Sequence, residues 1–242
     1  MFIANWKMNG SLPMLFSWLR ELNKTLDESS QNKCILCPPV CFLSEASNII
    51  KRDKLSISLG AQNIDSNITS SLTGGIDGAM LKELGAEYVL IGHSERRMIL
   101  NEGNQLLLEK LKSASKEGLR IIFCIGESLK DKERGKTIEV LKEQIGILND
   151  ADLNEFMVAY EPVWAIGSGE IPKVEDIEDI HKQVINEVGS FKKEGFLGVL
   201  YGGSVDSFNS RQILSLKGLK GLLIGGASLE CKEFCNIVLG SN

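Results

Sequence analysis

A glutamate at the end of a buried strand is the first residue whose position suggests chemistry. Glu161 follows the apolar run 156–160, which has the composition of a strand buried on both faces. Backbone pairing stops where a strand ends, so a carboxylate there can act as a base toward a bound ligand. Pro162 and a Gly-Ser-Gly run at 167–169 follow, and glycine allows sharp turns. This composition predicts a hinged lid; the alternative is an ordinary loop behind an ordinary strand.

The second candidate is a histidine at another strand end. The chain has two histidines, and His93 directly follows the apolar run 88–91 and Gly92. Backbone N–H groups follow it where a helix is expected to start, and their dipoles disfavour protonation. A neutral imidazole can donate a hydrogen bond without bringing charge; the alternative is a histidine that only holds loop backbone. His181 falls in a charged helical segment and is expected to be solvated.

An amide and an ammonium follow the first strand. Asn5 and Lys7 lie in the sequence N-W-K-M-N-G at residues 5–10. Lys7 can hold a substrate anion, although a lysine in such a place can equally be a solvated loop tip.

Paired glycines follow the last two strands. Gly202, Gly203 and Ser204 come after the seventh strand, and Gly225 and Gly226 come after the eighth. In parallel (β/α)8 barrels, glycine-rich loops after the last two strands form a phosphate cradle. The backbone N–H groups of these loops, and of the short helix start that follows, bind the phosphate.

Together these groups suit proton abstraction next to a carbonyl. Glu161 would take a carbon-bound proton, while His93 would polarise the oxygen and move protons between oxygens. Lys7 would stabilise the negative enediolate, with Asn5 helping to orient it. A closed lid would exclude water and so protect an enediol phosphate from losing phosphate. Cys124 has no basic neighbour in sequence and is expected to pack behind the site; the sequence predicts no metal and no cofactor.

The elements that must position these residues alternate along the chain. Strand-like runs fall near 2–6, 33–37, 56–61, 88–91, 120–125, 156–160, 198–201 and 221–224. Helical spacing falls between them, near 13–26, 44–51, 78–84, 102–117, 136–148, 174–188, 209–216 and 228–239. Eight strand–helix units in 242 residues predict a closed parallel (β/α)8 barrel, in one domain over residues 1–242. The rival is an open doubly wound sheet, whose usual glycine fingerprint after the first strand is missing here.

Net charge and hydrophobic patterning limit the classes of partner that the protein is expected to bind. A formal charge of -5 argues against nucleic acid and acidic membranes, which need a basic surface. No apolar run approaches the length of a membrane span and no basic, hydrophobic leader opens the sequence, so a cytosolic protein is expected.

Six cysteines raise the question of metal or disulfides. Cys34 and Cys37 lie in a strand-like run, where positions three apart face opposite ways, so they are expected to be buried apolar residues. Cys231 and Cys235 share a helical face with no further ligand nearby, and are also expected in the core.

The sequence resembles the triosephosphate isomerase family along nearly its whole length. The segments that carry the resemblance are N-W-K-M-N-G (5–10), G-H-S-E-R-R (92–97), C-I-G-E (124–127), A-Y-E-P-V-W-A-I-G-S-G (159–169), Y-G-G-S-V (201–205) and G-G-A-S (225–228). The resemblance implies a single-domain TIM barrel that interconverts dihydroxyacetone phosphate and glyceraldehyde 3-phosphate, in glycolysis and gluconeogenesis, without a cofactor. It implies Glu161 as base, His93 as electrophile, and substrate contacts from Asn5 and Lys7. The implied phosphate contacts are Gly167, Ser204, Gly225 and Gly226, with Glu95 and Cys124 behind the site.

The family resemblance also implies a homodimer, in which the loop around Thr73 inserts into the partner subunit. Three positions depart from the family pattern: Gly75 replaces a usual glutamate, while Asn104 and Lys220 each replace a usual aspartate. The first two are expected to thin the network around Arg96 and to weaken the dimer, without touching a catalytic group.

Two other functions remain open on the sequence. A Schiff-base aldolase could share the phosphate cradle but needs a desolvated lysine inside the barrel. No strand interior offers one, because Lys33 and Arg120 lie at strand starts, the wrong end of the barrel. A barrel retained as a binding protein could have lost Glu161, His93 or Lys7, and all three are present.

Overall fold

The computed structural model describes residues 1–66, 71–165, 172–191 and 194–240. Its strands are β1 Phe2–Asn5, β2 Cys34–Cys37, β3 Ser58–Ala61, β4 Tyr88–Ile91, β5 Arg120–Ile125, β6 Phe156–Tyr160, β7 Phe196–Tyr201 and β8 Leu219–Ile224. All eight predicted strands are present, each within two residues of its predicted bounds.

The strands close into a parallel barrel in sequence order. The seam joins β1 to β8, with Phe2 opposite Leu222 and Ile3 opposite Leu223. This closure confirms the (β/α)8 TIM barrel and excludes the open doubly wound sheet. All the strands therefore end at one rim, where the predicted site residues should meet.

Helices connect the strands on the outside. They are α1 Leu12–Thr25, α2 Glu28–Gln31, α3 Leu43–Asp53, α4 Gly78–Glu83, α5 Ser94–Ile99, α6 Asn104–Lys116, α7 Leu129–Glu133, α8 Thr137–Gly146, α9 Val174–Phe191, α10 Ser210–Leu214 and α11 Cys231–Leu239. Of these, α2 and α7 were not predicted, and for α5 the sequence predicted only a helix start after His93. Each has at most six residues, too short to give a clear periodic pattern.

Strand residues alternate between two apolar layers. Ile3, Leu90 and Met157 belong to a cluster that fills the barrel, whereas Phe2, Val89 and Phe156 pack outward against the helices. Burial on both faces explains why the strands read as continuous apolar runs. A Cβ on Gly126, just beyond β5, would overlap the carbonyl of Glu161. Glycine there lets the ends of β5 and β6 approach closely.

The cysteines follow the prediction. Cys34 packs in the outer layer and Cys37 in the barrel interior, so their side chains point to opposite sides of β2. Cys231 and Cys235 are buried in the outer layer. No group of three or more histidine, cysteine, aspartate or glutamate side chains in the described residues could hold a metal ion.

The expectation that His181 is solvated is wrong. Its side chain is completely buried on α9, with Nδ1 2.7 Å from the Ile177 carbonyl oxygen and its ring edge-on to Tyr160. Burial lowers the pKa of His181 and keeps it neutral. In the charged sequence of α9, position 181 lies on the face that packs against the barrel.

Among the helices that the structure describes, none is long and apolar enough to cross a bilayer.

Candidate active site

The carboxyl ends of the strands surround a cavity of about 420 Å³. Its lining includes most of the site residues expected from the sequence: Asn5, Lys7, His93, Glu161, Ser204, Gly225 and Gly226. These residues come from β1, β4, β6, β7 and β8 and their loops, yet they face one space. Gly167 lies outside the described residues.

The Glu161 carboxylate is buried, with 2% of the residue exposed. Oε1 lies 3.0 Å from Nε2 of His93, and Oε2 accepts a hydrogen bond from the backbone N–H of Ser94 at 2.9 Å. Both oxygens are therefore engaged by protein groups. The carboxylate must turn away from these donors before it can take a proton from a ligand.

Glu161 and His93 shift each other's pKa in opposite directions. Burial alone would raise the pKa of Glu161, but His93 and the Ser94 N–H outweigh it and hold the pKa below its usual value. Burial alone would lower the pKa of His93, but the Glu161 carboxylate outweighs it and raises the pKa. The contact thus keeps the base ionised.

The tautomer of His93 follows from its position before α5. The backbone N–H of Glu95 donates to Nδ1 of His93 at 3.3 Å, so that nitrogen has no proton in this arrangement. The remaining proton sits on Nε2, which faces Glu161 and the cavity. His93 can therefore donate one hydrogen bond to a ligand as a neutral ring.

Lys7 projects into the cavity from a strained backbone position, with φ of 52°. Its ammonium nitrogen lies 2.7 Å from Oε1 of Glu95. The Lys7 N–H donates to Oδ1 of Asn5 at 3.0 Å, and the Lys7 carbonyl accepts from Nε2 of Gln62 at 2.9 Å. Asn5 and Gln62 thus hold the backbone that aims the ammonium. Sequence reasoning gave Gln62 no role; its place just beyond β3 was the available signal.

The loops after β7 and β8 supply the opposite wall. Oγ of Ser204 donates to the Ala165 carbonyl at 2.6 Å, which ties the β7 loop to the start of the lid segment. Gly225 lies beside the Lys7 side chain, while Gly226 has open space where a Cβ would stand. A ligand can therefore approach the backbone of this loop closely.

A buried carboxylate anchors the segment that leads from Glu161. Oε1 of Glu127 accepts from Nε1 of Trp164 at 2.8 Å and from the Tyr160 hydroxyl at 3.2 Å. The Lys132 ammonium lies 3.0 Å from the centre of the Trp164 ring. Burial raises the pKa of Glu127. The sequence marked Glu127 only as the end of the fifth strand and did not predict its pairing with Trp164.

Cys124 lies in the barrel interior, fully buried. Burial raises its pKa well above the usual value, so the thiol is unreactive and packs beneath the site, as the sequence suggested.

The charge network outside the site differs in detail from the expectation. Arg96 pairs with Oε1 of Glu102 at 2.6 Å, and the buried Lys110 reaches the same oxygen at 2.6 Å. Asn104 instead accepts a hydrogen bond from Arg97, at 3.1 Å. The expectation that Asn104 belongs to the network of Arg96 is therefore wrong, because Asn104 contacts Arg97. Lys220 lies at the opposite rim, where its carbonyl accepts from the amino group of Met1 at 2.8 Å.

Comparison with known proteins gives one consistent result. Residues 1–240 match the family model described as triosephosphate isomerase. The triosephosphate isomerase of Dictyoglomus thermophilum is 38% identical, with 97% of this chain and 96% of that protein covered. The enzymes of Buchnera aphidicola subsp. Cinara cedri, at 38% identity with 98% and 96% covered, and Polynucleobacter asymbioticus, at 34% with 97% and 96% covered, are similar over the same extent.

Proposed function

The chain belongs to the triosephosphate isomerase family, and on that premise we propose that Glu161, His93, Lys7 and Asn5 carry out the isomerisation at the cavity described above. The protein is an aldose–ketose isomerase that interconverts dihydroxyacetone phosphate and D-glyceraldehyde 3-phosphate. The observation that carries the assignment of residues is the shared cavity: base, hydrogen-bond donor, cation and glycine loops all line it.

Glu161 is the proposed base. In the first step its carboxylate leaves the N–H of Ser94, turns into the cavity and takes a proton from the carbon next to the substrate carbonyl. Its lowered pKa means that it is ionised before substrate arrives.

His93 is the proposed hydrogen-bond donor. Nε2–H, released when Glu161 turns, points at the carbonyl oxygen and then serves both oxygens of the enediolate in turn. The Glu95 N–H at Nδ1 opposes protonation of the second nitrogen. When the neutral ring gives this proton to one enediolate oxygen it takes on the negative charge as an imidazolate, and it becomes neutral again when it takes the proton from the other oxygen.

Lys7 is the proposed cation for the developing enediolate. Its ammonium is already aimed at the cavity by Asn5 and Gln62 and is partly balanced by Glu95. A preorganised cation stabilises a developing anion without having to reorganise during the reaction. Asn5 then orients the same end of the substrate.

The phosphate is proposed to bind at the opposite wall, against Ser204, Gly225 and Gly226, with Gly167 joining from the lid. Backbone N–H groups of glycine loops are a common anion site. The Ser204 contact with the Ala165 carbonyl makes this wall continuous with the lid segment, so phosphate binding and lid position are coupled.

The test is Glu161→Gln, which keeps the shape of the side chain and removes the base. We expect the fold to persist and turnover in either direction to fall by roughly a hundredfold or more, the usual contribution of a positioned base. Turnover near that of the unmodified enzyme would refute the role of Glu161. Ser204→Ala, measured in parallel, should raise KM more than it lowers kcat.

The aldolase reading gains no support. Among the strand residues that the structure describes, one lysine occurs, Lys220; it is exposed and lies at the rim opposite the cavity. No desolvated lysine is therefore available from those strands for Schiff-base chemistry.

We further propose a homodimer. A second cavity of about 600 Å³ lies beside the active site and is lined by Met8, Ile99 and Leu100, together with Lys7 and Glu95. These apolar side chains are 96%, 72% and 58% exposed, and exposed apolar side chains that cluster in one patch often mark a protein–protein contact. The exposed turn at Thr73 is the segment proposed to fill this cavity in a second copy.

The chain is proposed to work as one barrel domain over residues 1–242 in the cytoplasm. Its triose phosphates belong to glycolysis, and all six cysteines are free thiols, which suits a reducing compartment.

A further inference from the structure

Two buried thiols form a pair at the start of α11. Cys231 and Cys235 lie one helical turn apart, with their sulfur atoms 3.8 Å from each other. The Cys231 thiol also lies 3.2 Å from the Trp18 carbonyl oxygen on α1. Both belong to the layer between helices and barrel, and the proposed isomerase mechanism uses neither.

A surface groove leads to this pair. It has a volume of about 670 Å³ and runs between α1 and α11, lined by Met14, Trp18, Glu21, Leu229 and Cys231. Cys231 is 8% exposed and Cys235 is completely buried. A reagent that enters the groove therefore meets Cys231 first and finds the second thiol directly behind it.

The spacing disfavours a direct disulfide. A disulfide needs sulfur atoms about 2.05 Å apart and Cβ atoms about 3.5–4.5 Å apart, whereas residues one turn apart on a helix have Cβ atoms about 5–6 Å apart. A tetrahedral metal site is also incomplete, because the described residues offer no group of three or more suitable side chains. The 3.8 Å between the two sulfur atoms fits an atom that bonds to both sulfurs and carries a third substituent of its own.

We propose that Cys231 and Cys235 form a binding site for trivalent organoarsenicals, which the two sulfurs chelate from the groove between α1 and α11. In the reaction an arsenoxide loses its oxygen as water, together with the two thiol protons. Two arsenic–sulfur bonds replace the arsenic–oxygen bonds, and arsenic stays trivalent, so no oxidant or reductant is required. The organic substituent of arsenic remains in the groove beside Met14 and Leu229.

The thiol pair also favours the first deprotonation that this reaction needs. The hydrogen bond between the sulfurs raises the pKa of Cys231 and lowers the pKa of Cys235. The thiolate, which is the reactive form, is therefore favoured at Cys235, directly behind the Cys231 thiol that lines the groove.

Occupation of the pair has a consequence for catalysis, and this step rests on the proposed phosphate site. The short 3-10 turn Gly226–Ser228 precedes α11 directly, and Nε1 of Trp18 donates to the Ser228 carbonyl at 2.9 Å. A substituent inserted between α1 and α11 would displace this turn. We expect KM for the triose phosphate to rise as labelling proceeds.

The experiment uses phenylarsine oxide on the full-length protein. We expect one arsenic per chain and loss of two of the six thiols when they are titrated after denaturation. Trypsin cuts after Lys232, between the two cysteines, so a chelate should join peptide 221–232 to the peptide that begins at Glu233. Excess monothiol should leave the adduct in place, and 2,3-dimercaptopropanol should remove it. These readouts do not depend on isomerase activity.

Cys231→Ala and Cys235→Ala should each abolish the joined peptide, whereas Cys41→Ser, which removes an exposed thiol, should leave it unchanged. Circular dichroism confirms that each variant is folded. If the unmodified protein yields no joined peptide, or if arsenic is lost to monothiol alone, the site does not exist, whatever the state of the variants. If the joined peptide forms but KM is unchanged, the arsenical site is supported and its proposed link to the phosphate-binding loop is refuted.

Discussion

At the scale of single residues, the contact between Glu161 and His93 helps to set the protonation state of both side chains. The contact lowers one pKa and raises the other, so each side chain can be used to report on its partner. The presence of two histidines in the chain makes their ring signals easy to assign by NMR.

Glu161→Gln should lower the pKa of His93. The variant removes the carboxylate that raises this pKa. Burial and Lys7, which both lower the pKa of His93, remain in the variant, and the partly exposed Glu95 still raises it. The measurement is a histidine ring titration followed by NMR. His181 is the internal control, because burial lowers its pKa against two backbone hydrogen bonds that raise it, and Glu161 is not among the groups that shift it. An unchanged or higher His93 pKa would mean that the 3.0 Å contact is absent in solution.

Glu127→Gln should stabilise the protein near neutral pH. Because burial raises the folded-state pKa of Glu127, the unfolded chain ionises first as pH rises. The wild type therefore loses stability between the ordinary carboxyl pKa and the raised one. The amide keeps an acceptor for Trp164 and has no charge to bury. Urea unfolding at acid and neutral pH measures the difference, and a variant that is less stable at neutral pH would contradict this account.

Glu161, His93 and Lys7 could be predicted as site residues because a residue at the end of a barrel strand has a fixed position at the rim. The pairs Lys7–Glu95 and Trp164–Glu127 could not be predicted, since these depend on how each side chain rotates and on which loops lie across the barrel. The Ser94 N–H that holds Glu161 carries no side-chain signal at all.

At the scale of elements, a buried charge cluster fastens α5 and α6 to the loop after β3. Glu102 accepts from Arg96 and Lys110, and Lys110 also donates to Asn63 at 2.7 Å. Lys110 is 2% exposed. The cluster therefore positions α5, whose first N–H holds Glu161.

Glu102→Gln should destabilise the protein by about 3–5 kcal/mol, the usual cost of leaving a buried charge without its partner. Adding Lys110→Met should recover much of the loss, because no lone ammonium then remains. Denaturant unfolding gives the double-mutant cycle. The matched control is Lys112→Met on the same helix, whose pair with Glu109 is exposed and should contribute within about 0.5 kcal/mol. Additive losses from the first two changes would argue against coupling.

Strands were easier to predict than helices. Each strand is buried on both faces along most of its length and therefore reads as a largely apolar run, whereas α2, α5 and α7 have at most six residues, too few to show a clear periodic pattern. The misassigned environment of His181 has a related cause. A charged helix buries one narrow face, and the sequence alone did not show that position 181 lies on it.

At the scale of the whole molecule, the proposed self-association would determine what covers the side of Lys7 away from the substrate. Lys7 lines both the active-site cavity and the neighbouring apolar cavity, and Glu95, its ion-pair partner, lines the second. A partner loop seated there would exclude water from the side of Lys7 away from substrate.

Ile99→Asp should convert the proposed dimer to monomers and reduce kcat/KM, because a charge would enter an apolar interface. The monomer fold should survive, since Ile99 is 72% exposed. Sedimentation at micromolar concentration measures the change. Phe208→Asp, at a side chain that is 95% exposed in the loop after β7, is the matched control and should change neither property. A fully active wild-type monomer would refute the dimer.

The seam between β1 and β8 has a consequence for how the protein is made. Of the eight strands β1 is synthesised first and β8 last, and Phe2 pairs with Leu222 across the seam, so the ring cannot shut before β8 has been made. Until then the nascent chain has an open sheet with two unpaired edges, which are prone to mispairing. A chain stalled before residue 219 should therefore depend on chaperones for its solubility, while the released full-length chain should not.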